Sequence, residues 1–477
     1  MLFNSLSYLL FLIIGIFVNI IFKKNPRITI IILGLLFYSL WRYEFIFLIL
    51  FSSYVDFYMA KKIKLSNEKI MKNIFASISI ITNIIILAIF KYSYFISDIA
   101  NFFINIFNFN YNFSGLNLIL PLGISFYTFE AISYTIDVRR GNYKAEDSFL
   151  NYLSYILFFP KLIAGPILRP SEFIPQIFNF RRNSNKEITD AIIRIFCGLF
   201  LKVVVADNIA VLVDNGFDLP YKLSSGIDNI TLGFLFGFQI YFDFSAYSSI
   251  AIGSARLLGI VLPENFNFPY SSSNPKEFWN KWHISLSRWV KDYLYKAQIN
   301  YLSKIFKECE YIPVFALFIS WAIMGLWHGP SWNFILWGFI HASYIFIYRI
   351  LNNFEFITFK NKLLNKFITT ILFNFFIMIA WIPFRSASFE EGVYRLFTIF
   401  DFTNLNYLNF GLRESTYLVS FLMFVLYWLN YMIIKLQNQR NYPIIIQAIA
   451  WSLYGFIGTP LLISFLKPNN QFIYFQF

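Results

Sequence analysis

Of the 477 residues, 58% are apolar and 22% aromatic, only 14% are charged, and the mean hydropathy is +0.57. A soluble domain devotes about a quarter of its residues to charge, so this composition excludes a water-soluble body of such a size. The net charge of +13 does not call for nucleic acid, because the Lys and Arg sit in short loops between apolar runs, as in the cytoplasmic loops of membrane proteins.

Runs approaching or reaching roughly 17–25 apolar residues are spanning candidates. In chain order they lie at 3–22, 28–42, 44–60, 74–92, 117–137, 188–213, 228–257, 311–327, 332–348, 367–384, 415–434 and 444–466. No basic region precedes the first run, which is long enough to span, so it reads as a retained helix and not a cleaved signal. No polar linker, repeat or low-complexity tract divides the chain, and a single integral membrane domain over 1–477 is the economical organisation. Cys197 and Cys309 form neither a CxxC nor a metal spacing and read as plain thiols.

Loop charges supply the sidedness. Lys23, Lys24 and Arg27 mark one loop as cytoplasmic, and Lys61, Lys62, Lys64, Lys69 and Lys72 mark the loop two spans later. The 93–116 loop holds no Lys or Arg and reads as external, as does 214–227 with Asp214 and Asp218. The basic stretches 258–310 and 349–366 are cytoplasmic, which puts both termini outside. Residues 149–168 break the alternation, being flanked by Arg139 and Arg140 on one side and Arg169, Arg181 and Arg182 on the other. Pro160, Lys161 and Gly165-Pro166 interrupt this run, and an interior Pro kinks a helix. A re-entrant segment fits, and such backbone is tolerated only where protein or a watery cavity covers it. An internal cavity is therefore expected.

The chain has three histidines, so imidazole chemistry must use His283, His328 or His341. His283 lies in Asn274-Pro275-Lys276-Glu277-Phe278-Trp279-Asn280-Lys281-Trp282-His283-Ile284-Ser285, where Trp279, Trp282, Leu286, Trp289 and Tyr293 recur at helical spacing. Asn274 and Pro275 suit the N-cap and first position of a helix. The basic face and three Trp suggest a helix lying at the cytoplasmic interface, and the bland alternative is an anchor whose His meets only headgroups. His328 ends the 311–327 run, where seventeen helical residues rise about 25 Å and carry it deep into the bilayer or toward its outer half. Intramembrane ionisable groups are costly and mark function by default; an outer-surface loop histidine is the alternative. His341 is a lone histidine in an apolar helix, ordinarily a helix-packing hydrogen bonder.

Asp243, inside the 228–257 run, must be paired or neutral, either as a functional group or as the partner of a basic side chain. Glu130 and Asp137 lie seven apart on one helix face, with Asp137 expected to meet Arg139 and Arg140. Walker, Rossmann, nucleophile-elbow and HExxH motifs are absent from the sequence, which removes support for ATPase, hydrolase and zinc-protease readings.

At these residues the chain resembles the membrane-bound O-acyltransferase family, in particular the branch of alginate O-acetylases and peptidoglycan O-acetyltransferases. The stretches that carry the resemblance begin with Leu120-Pro121-Leu122-Gly123-Ile124-Ser125-Phe126-Tyr127-Thr128-Phe129 and Phe159-Pro160-Lys161-Leu162-Ile163-Ala164-Gly165-Pro166. They continue with Tyr241-Phe242-Asp243-Phe244-Ser245-Ala246-Tyr247, Phe278 to Trp289, Gly325-Leu326-Trp327-His328-Gly329 and the terminal Phe472 to Phe477. One departure is local: Tyr293-Leu294-Tyr295 is followed by Lys296-Ala297-Gln298-Ile299-Asn300 where many relatives have Ile-Pro-Leu-Gly-Gly-Asn-Arg.

The resemblance implies an all-α polytopic membrane protein of about 10–12 spanning helices plus re-entrant segments around a central tunnel. It implies transfer of an acyl group, usually acetyl, from a cytoplasmic thioester such as acetyl-CoA to hydroxyls of an extracytoplasmic glycan, in the cell's inner membrane. No bound cofactor is implied, and an extracytoplasmic acetyl-transfer protein is the expected partner. His328 matches the family's proposed catalytic histidine and His283 its second functional histidine. Asp243, Asn280, Trp282, Trp327, Asn333 and Ser285 are the expected supporting residues. Thioester-to-alcohol transfer needs a base at the acceptor hydroxyl, which His328 would supply, with Asn333 or the backbone at Gly329 stabilising the oxyanion. Two rivals remain at the level of sequence: D-alanyl transfer to teichoic acid by the same fold, and a polysaccharide or lipid transporter, against which the chain shows no two-halves symmetry.

Overall fold

The structure, a computed structural model, describes residues 3–22, 25–163, 165–179, 183–307, 309–352, 362–401, 418–425, 427–428, 431 and 473. Every regular element among them is helical. Ten of the twelve apolar runs appear as helices; the runs at 415–434 and 444–466 lie largely outside the described residues, as do Lys23, Lys24, Arg181, Arg182 and most of the terminal Phe472 to Phe477. Among the described helices, Lys69–Ile106, Asn185–Phe217, Trp332–Leu351 and Leu364–Arg385 are long and apolar enough to cross a membrane. Leu6–Ile21 and Ile312–His328 are apolar but shorter. The chain divides into two compact units.

The first unit comprises Met1–Phe196, Tyr247–Glu264 and Arg288–Leu294. Its helices present apolar side chains outward: Leu6, Leu10, Ile13, Phe17 and Ile20 on the first helix are all exposed. Water would penalise that surface, and lipid does not. Polar side chains turn inward instead. Asp56 accepts from Ser79 Oγ at 2.6 Å, Asn83 Nδ2 at 2.7 Å and Tyr152 OH at 3.2 Å, tying two helices and the 149–156 segment together.

The helix Lys69–Ile106 corrects the expected external loop at 93–116. Nothing from Lys91 to Ile106 breaks a helix, so it continues to Phe107, and Asn108 then turns the chain with φ 54°. At 38 residues it is about 57 Å long, well beyond a hydrocarbon core of about 30 Å.

The anomalous 149–168 stretch is broken as its prolines required, into Phe149–Ile156, Phe159–Leu162 and a following Pro170–Phe178. An eight-residue helix rises only about 12 Å and cannot cross a bilayer by itself. Lys161 is buried against Glu130, with its ammonium over the Tyr155 ring, and Leu168 N–H donates to the same carboxylate at 3.2 Å. Asp137 accepts from Tyr293 OH at 2.7 Å, where Arg139 and Arg140 were expected; Arg139 reaches Asn73 instead.

The second unit comprises Cys197–Ala246, Asn265–Ser287 and Tyr295–Phe477. Its centre is aromatic: Trp282, Trp337 and Trp381 are all fully buried. The helices Ile312–His328 and Trp332–Asn352 form a tight hairpin. A Cβ at Gly325 would stand 2.1 Å from the Phe334 carbonyl oxygen, and one at Gly338 2.3 Å from that of Trp321. Only glycine permits this backbone-to-backbone approach.

Candidate acyl-transfer site

The Asn274 cap forms as its sequence suggests, its side chain accepting from Glu277 N–H at 2.9 Å. The helix it opens ends at Trp279, and a second begins at Ile284. His283 therefore sits in a break, with φ 39°, and not on a continuous amphipathic face. A left-handed conformation at a non-glycine residue costs about 1–3 kcal/mol and persists only where the surroundings enforce it. Here they do. Ile284 N–H donates to the Asn265 carbonyl at 2.9 Å, and Asn267 N–H donates to the Lys281 carbonyl at 2.9 Å, clamping both sides of the kink. Trp279, Trp282 and Trp289 are buried, which corrects the expectation of a helix lying at the interface.

Asn265 also sets the histidine's proton. Its Oδ1 accepts from Ser285 N–H at 3.2 Å and Ser285 Oγ at 2.9 Å, so it is an acceptor oxygen, and His283 Nδ1 faces it at 3.2 Å. Nδ1 must then carry the hydrogen, which leaves the lone pair on Nε2. That nitrogen has no hydrogen-bond partner among the described residues, and the ring is fully buried, nearly perpendicular to Phe244 with ring centres 4.6 Å apart. Burial pushes the imidazole far below its ordinary value, to about 3, so it is neutral at any physiological pH.

His328 closes the helix Ile312–His328, and Gly329-Pro330 cannot continue it. A Cβ at Gly329 would meet the Phe334 ring at 2.1 Å, so the turn is pressed directly onto the next helix. The His328 ring is 4.9 Å from Trp327, 5.0 Å from Trp337 and 5.1 Å from Phe384, centre to centre. Trp327 also lies 6.4 Å from His283. One indole thus touches both histidines, whose centres are separated by no more than the sum of those two spacings. Trp282 continues the wall to Trp381 at 4.9 Å, and Trp381 to Trp337 at 5.7 Å. Two imidazoles set in a buried aromatic wall are suited to proton transfer, because the low local dielectric strengthens each polar contact there.

Comparison with known proteins places this arrangement. The model of the MBOAT, membrane-bound O-acyltransferase family matches residues 145–389, a range that contains both histidines and the wall around them. The chain belongs to the membrane-bound O-acyltransferase family. It is 33% identical over 416 residues to a peptidoglycan O-acetyltransferase of Helicobacter pylori, covering 80% of this chain and 75% of that one. It is 31% identical over 443 residues to the Pseudomonas aeruginosa protein named "Probable alginate O-acetylase", covering 90% and 82% respectively. A teichoic acid D-alanyltransferase of Streptococcus thermophilus is 34% identical over 228 residues, covering 46% of this chain and 55% of that one. The protein is thus a multi-pass membrane O-acyltransferase, and the transporter reading falls.

Within the acyltransferase, Trp282, Ser285 and Trp327 are all buried. Asn333 is buried nearby, but one amide hydrogen goes to the Ser386 carbonyl at 2.8 Å and its Oδ1 is left without a partner among the described residues. It presents an acceptor, whereas an oxyanion requires donors. Asn280 is exposed, unlike the buried wall residues. Asp243 proves to be an ion-pair partner: its Oδ1 lies 2.7 Å from Lys202 Nζ, and its Oδ2 accepts from Ile473 N–H at 2.7 Å. Lys202 reaches Asp207 as well, at 2.7 Å, because the turn Leu201–Ala206 is π-helical and brings positions five apart together. Among the described residues no group of three or more His, Cys, Asp or Glu could hold a metal ion.

Sequence reasoning missed Asn265, Lys202, Trp337 and Trp381. Asn265 sits in an unremarkable polar loop, and no spacing links it to His283. The two tryptophans looked like ordinary apolar helix residues. Their one available signal was the clustering of Trp near histidines in an otherwise Phe-dominated chain.

Proposed function

We propose that this acyltransferase moves an acetyl group from a cytoplasmic thioester donor, acetyl-CoA or a comparable acyl thioester, to hydroxyls of an extracytoplasmic polysaccharide or peptidoglycan. His328 takes the proton of the acceptor hydroxyl, whose oxygen attacks the acyl carbonyl. His283 holds the donor by accepting a hydrogen bond at Nε2. The observation that carries this reading is the pair of buried imidazoles on one shared indole, one of them with its lone-pair nitrogen fixed by Asn265 and unclaimed. The acetyl group is favoured over D-alanine because the relatives named for O-acetylation match 80% and 90% of the chain, and the D-alanyltransferase only 46%. The reading includes placement in the cytoplasmic membrane and an extracytoplasmic acetyl-transfer protein that completes the transfer.

The test is radiolabelled acetyl-CoA added to membranes holding the full chain, followed by recovery of ester-linked label in the glycan fraction. His328→Ala, shown to insert and to elute as the parent protein does, is expected to lose transfer by a factor of at least about 100. Retained transfer in that variant would sink the assignment of His328 as base. Label that stays in the donor with the parent protein, while D-alanine is incorporated from its carrier, would replace acetyl by D-alanyl.

A further inference from the structure

The third histidine is also drawn into this wall. His341 is 1% exposed, and its ring lies 4.7 Å from Trp337, 5.0 Å from Trp279, 5.4 Å from Trp321 and 6.1 Å from Trp381. Positions 333, 337 and 341 follow at four-residue intervals on the helix Trp332–Asn352 and form one stripe along it. Each member of that stripe ends in a buried polar atom with no hydrogen-bond partner among the described residues: Asn333 Oδ1, Trp337 Nε1 and His341 Nε2. Trp279 Nε1 and Trp381 Nε1, on rings that touch His341, are in the same condition. A buried polar atom left unpaired costs about 1–3 kcal/mol, and folded proteins keep few of them. Several on one stripe call for a hydrogen-bonding guest, and an amide acceptor beside indole donors suits ordered water, which can do both.

The stripe also borders the base. Trp337 stands edge-on to His328 at 5.0 Å and contacts His341 on its own helix. We propose that His341 is a positioning residue of the acyl-transfer site, holding with Asn333 a short buried line of water beside His328 through which the abstracted proton leaves the base. The inference rests on His328 acting as that base. The proton balance is closed: the acceptor hydroxyl gives its proton to His328, its oxygen bonds to the acyl carbon, the carbon–sulfur bond breaks, and the water line carries the proton to the departing thiolate. His341 touches neither substrate. It fixes the waters, and its loss slows the return of the proton without weakening binding.

The experiment compares the full-length parent, His341→Phe, His341→Gln and His328→Ala in membranes, with radiolabelled acetyl-CoA as the probe. Initial rates are taken across pH and in heavy water. His341→Phe fills the space with an apolar ring and is expected to lower kcat by about 10- to 100-fold with KM for acetyl-CoA unchanged. It is also expected to enlarge the solvent isotope effect and displace the pH profile. His341→Gln restores a hydrogen-bonding group and is expected to recover part of the rate. Equal insertion and equal melting of the two variants separates this from misfolding. Full activity of His341→Phe would overturn the proposal, and so would a raised KM with kcat unchanged, which would make the stripe a substrate-binding surface. Activity that survives in His328→Ala would instead overturn the base assignment, which is a separate failure.

Discussion

Lys202 is placed so that its removal should damage the second unit more than the loss of either carboxylate it serves. Its ammonium is shared between Asp243 and Asp207, each at 2.7 Å, with the lysine side chain 2% exposed. Lys202→Met keeps most of the stem and strands both acids at once. Breaking a buried pair by removing one member costs about 3–5 kcal/mol. Asp207 is the more exposed of the two and recovers part of its hydration, so Asp243, at 3% side-chain exposure, carries most of the penalty. Asp243→Asn is milder. It leaves Lys202 its contact with Asp207 and keeps an acceptor for the Ile473 N–H, so its expected cost is about 1–2 kcal/mol. Combining the two substitutions removes the more deeply buried of the two stranded charges and should cost less than the sum of the single losses. Thermal unfolding of the detergent-solubilised protein, followed by tryptophan fluorescence and checked by gel filtration, reads all three. A Lys202→Met protein as stable as the parent, or an Asp243→Asn protein less stable than Lys202→Met, would refute the reasoning.

Asn265→Leu is expected to cost about 2–4 kcal/mol by stranding Ser285 and His283 Nδ1, and to reduce acetyl transfer because the imidazole is no longer held in one tautomer; unchanged melting and transfer would contradict the Asn265 clamp. Gly338→Ala puts a methyl group 2.3 Å from the Trp321 carbonyl oxygen, and the overpacked hairpin should lose about 1–3 kcal/mol along with transfer activity. Gly141→Ala, which meets open space but at φ 78°, should lose only about 1 kcal/mol and no activity. Stability should also fall with acid through His283. Its folded value is depressed to about 3 while the unfolded chain titrates near 6.5, so the unfolded state binds the extra proton and stability declines as pH drops below about 6.5. His283→Gln should flatten that part of the melting profile between about pH 6.5 and pH 4, and an unaltered slope would show that His283 does not contribute.

The helices were legible because their signal is local. A run of apolar residues long enough to satisfy its own backbone in lipid has few alternatives to a helix, and Pro160 with Gly165-Pro166 was enough to show that 149–168 could not be one continuous span. Scarcity made His283 and His328 conspicuous, and their neighbouring residues carried the family. The helix Lys69–Ile106 was misjudged at its far end, since a helix may run past the apolar stretch when nothing stops it. The break at His283 escaped for the opposite reason: a periodic tryptophan pattern looks the same whether the chain is continuous or kinked at one left-handed residue.

Composition, apolar runs and two histidine motifs therefore determined from the sequence alone that this is a membrane O-acyltransferase, because each depends on residues close together in the chain. Tertiary structure decided which nitrogen of His283 is open, since Asn265 lies eighteen residues away. It decided that Asp243 answers Lys202 and not a substrate, a contact across forty-one positions. It also moved His341 from an isolated packing residue to the same aromatic wall as His328. Hydrogen bonds and ion pairs act at a few ångströms, and only folding brings such distant residues within that range.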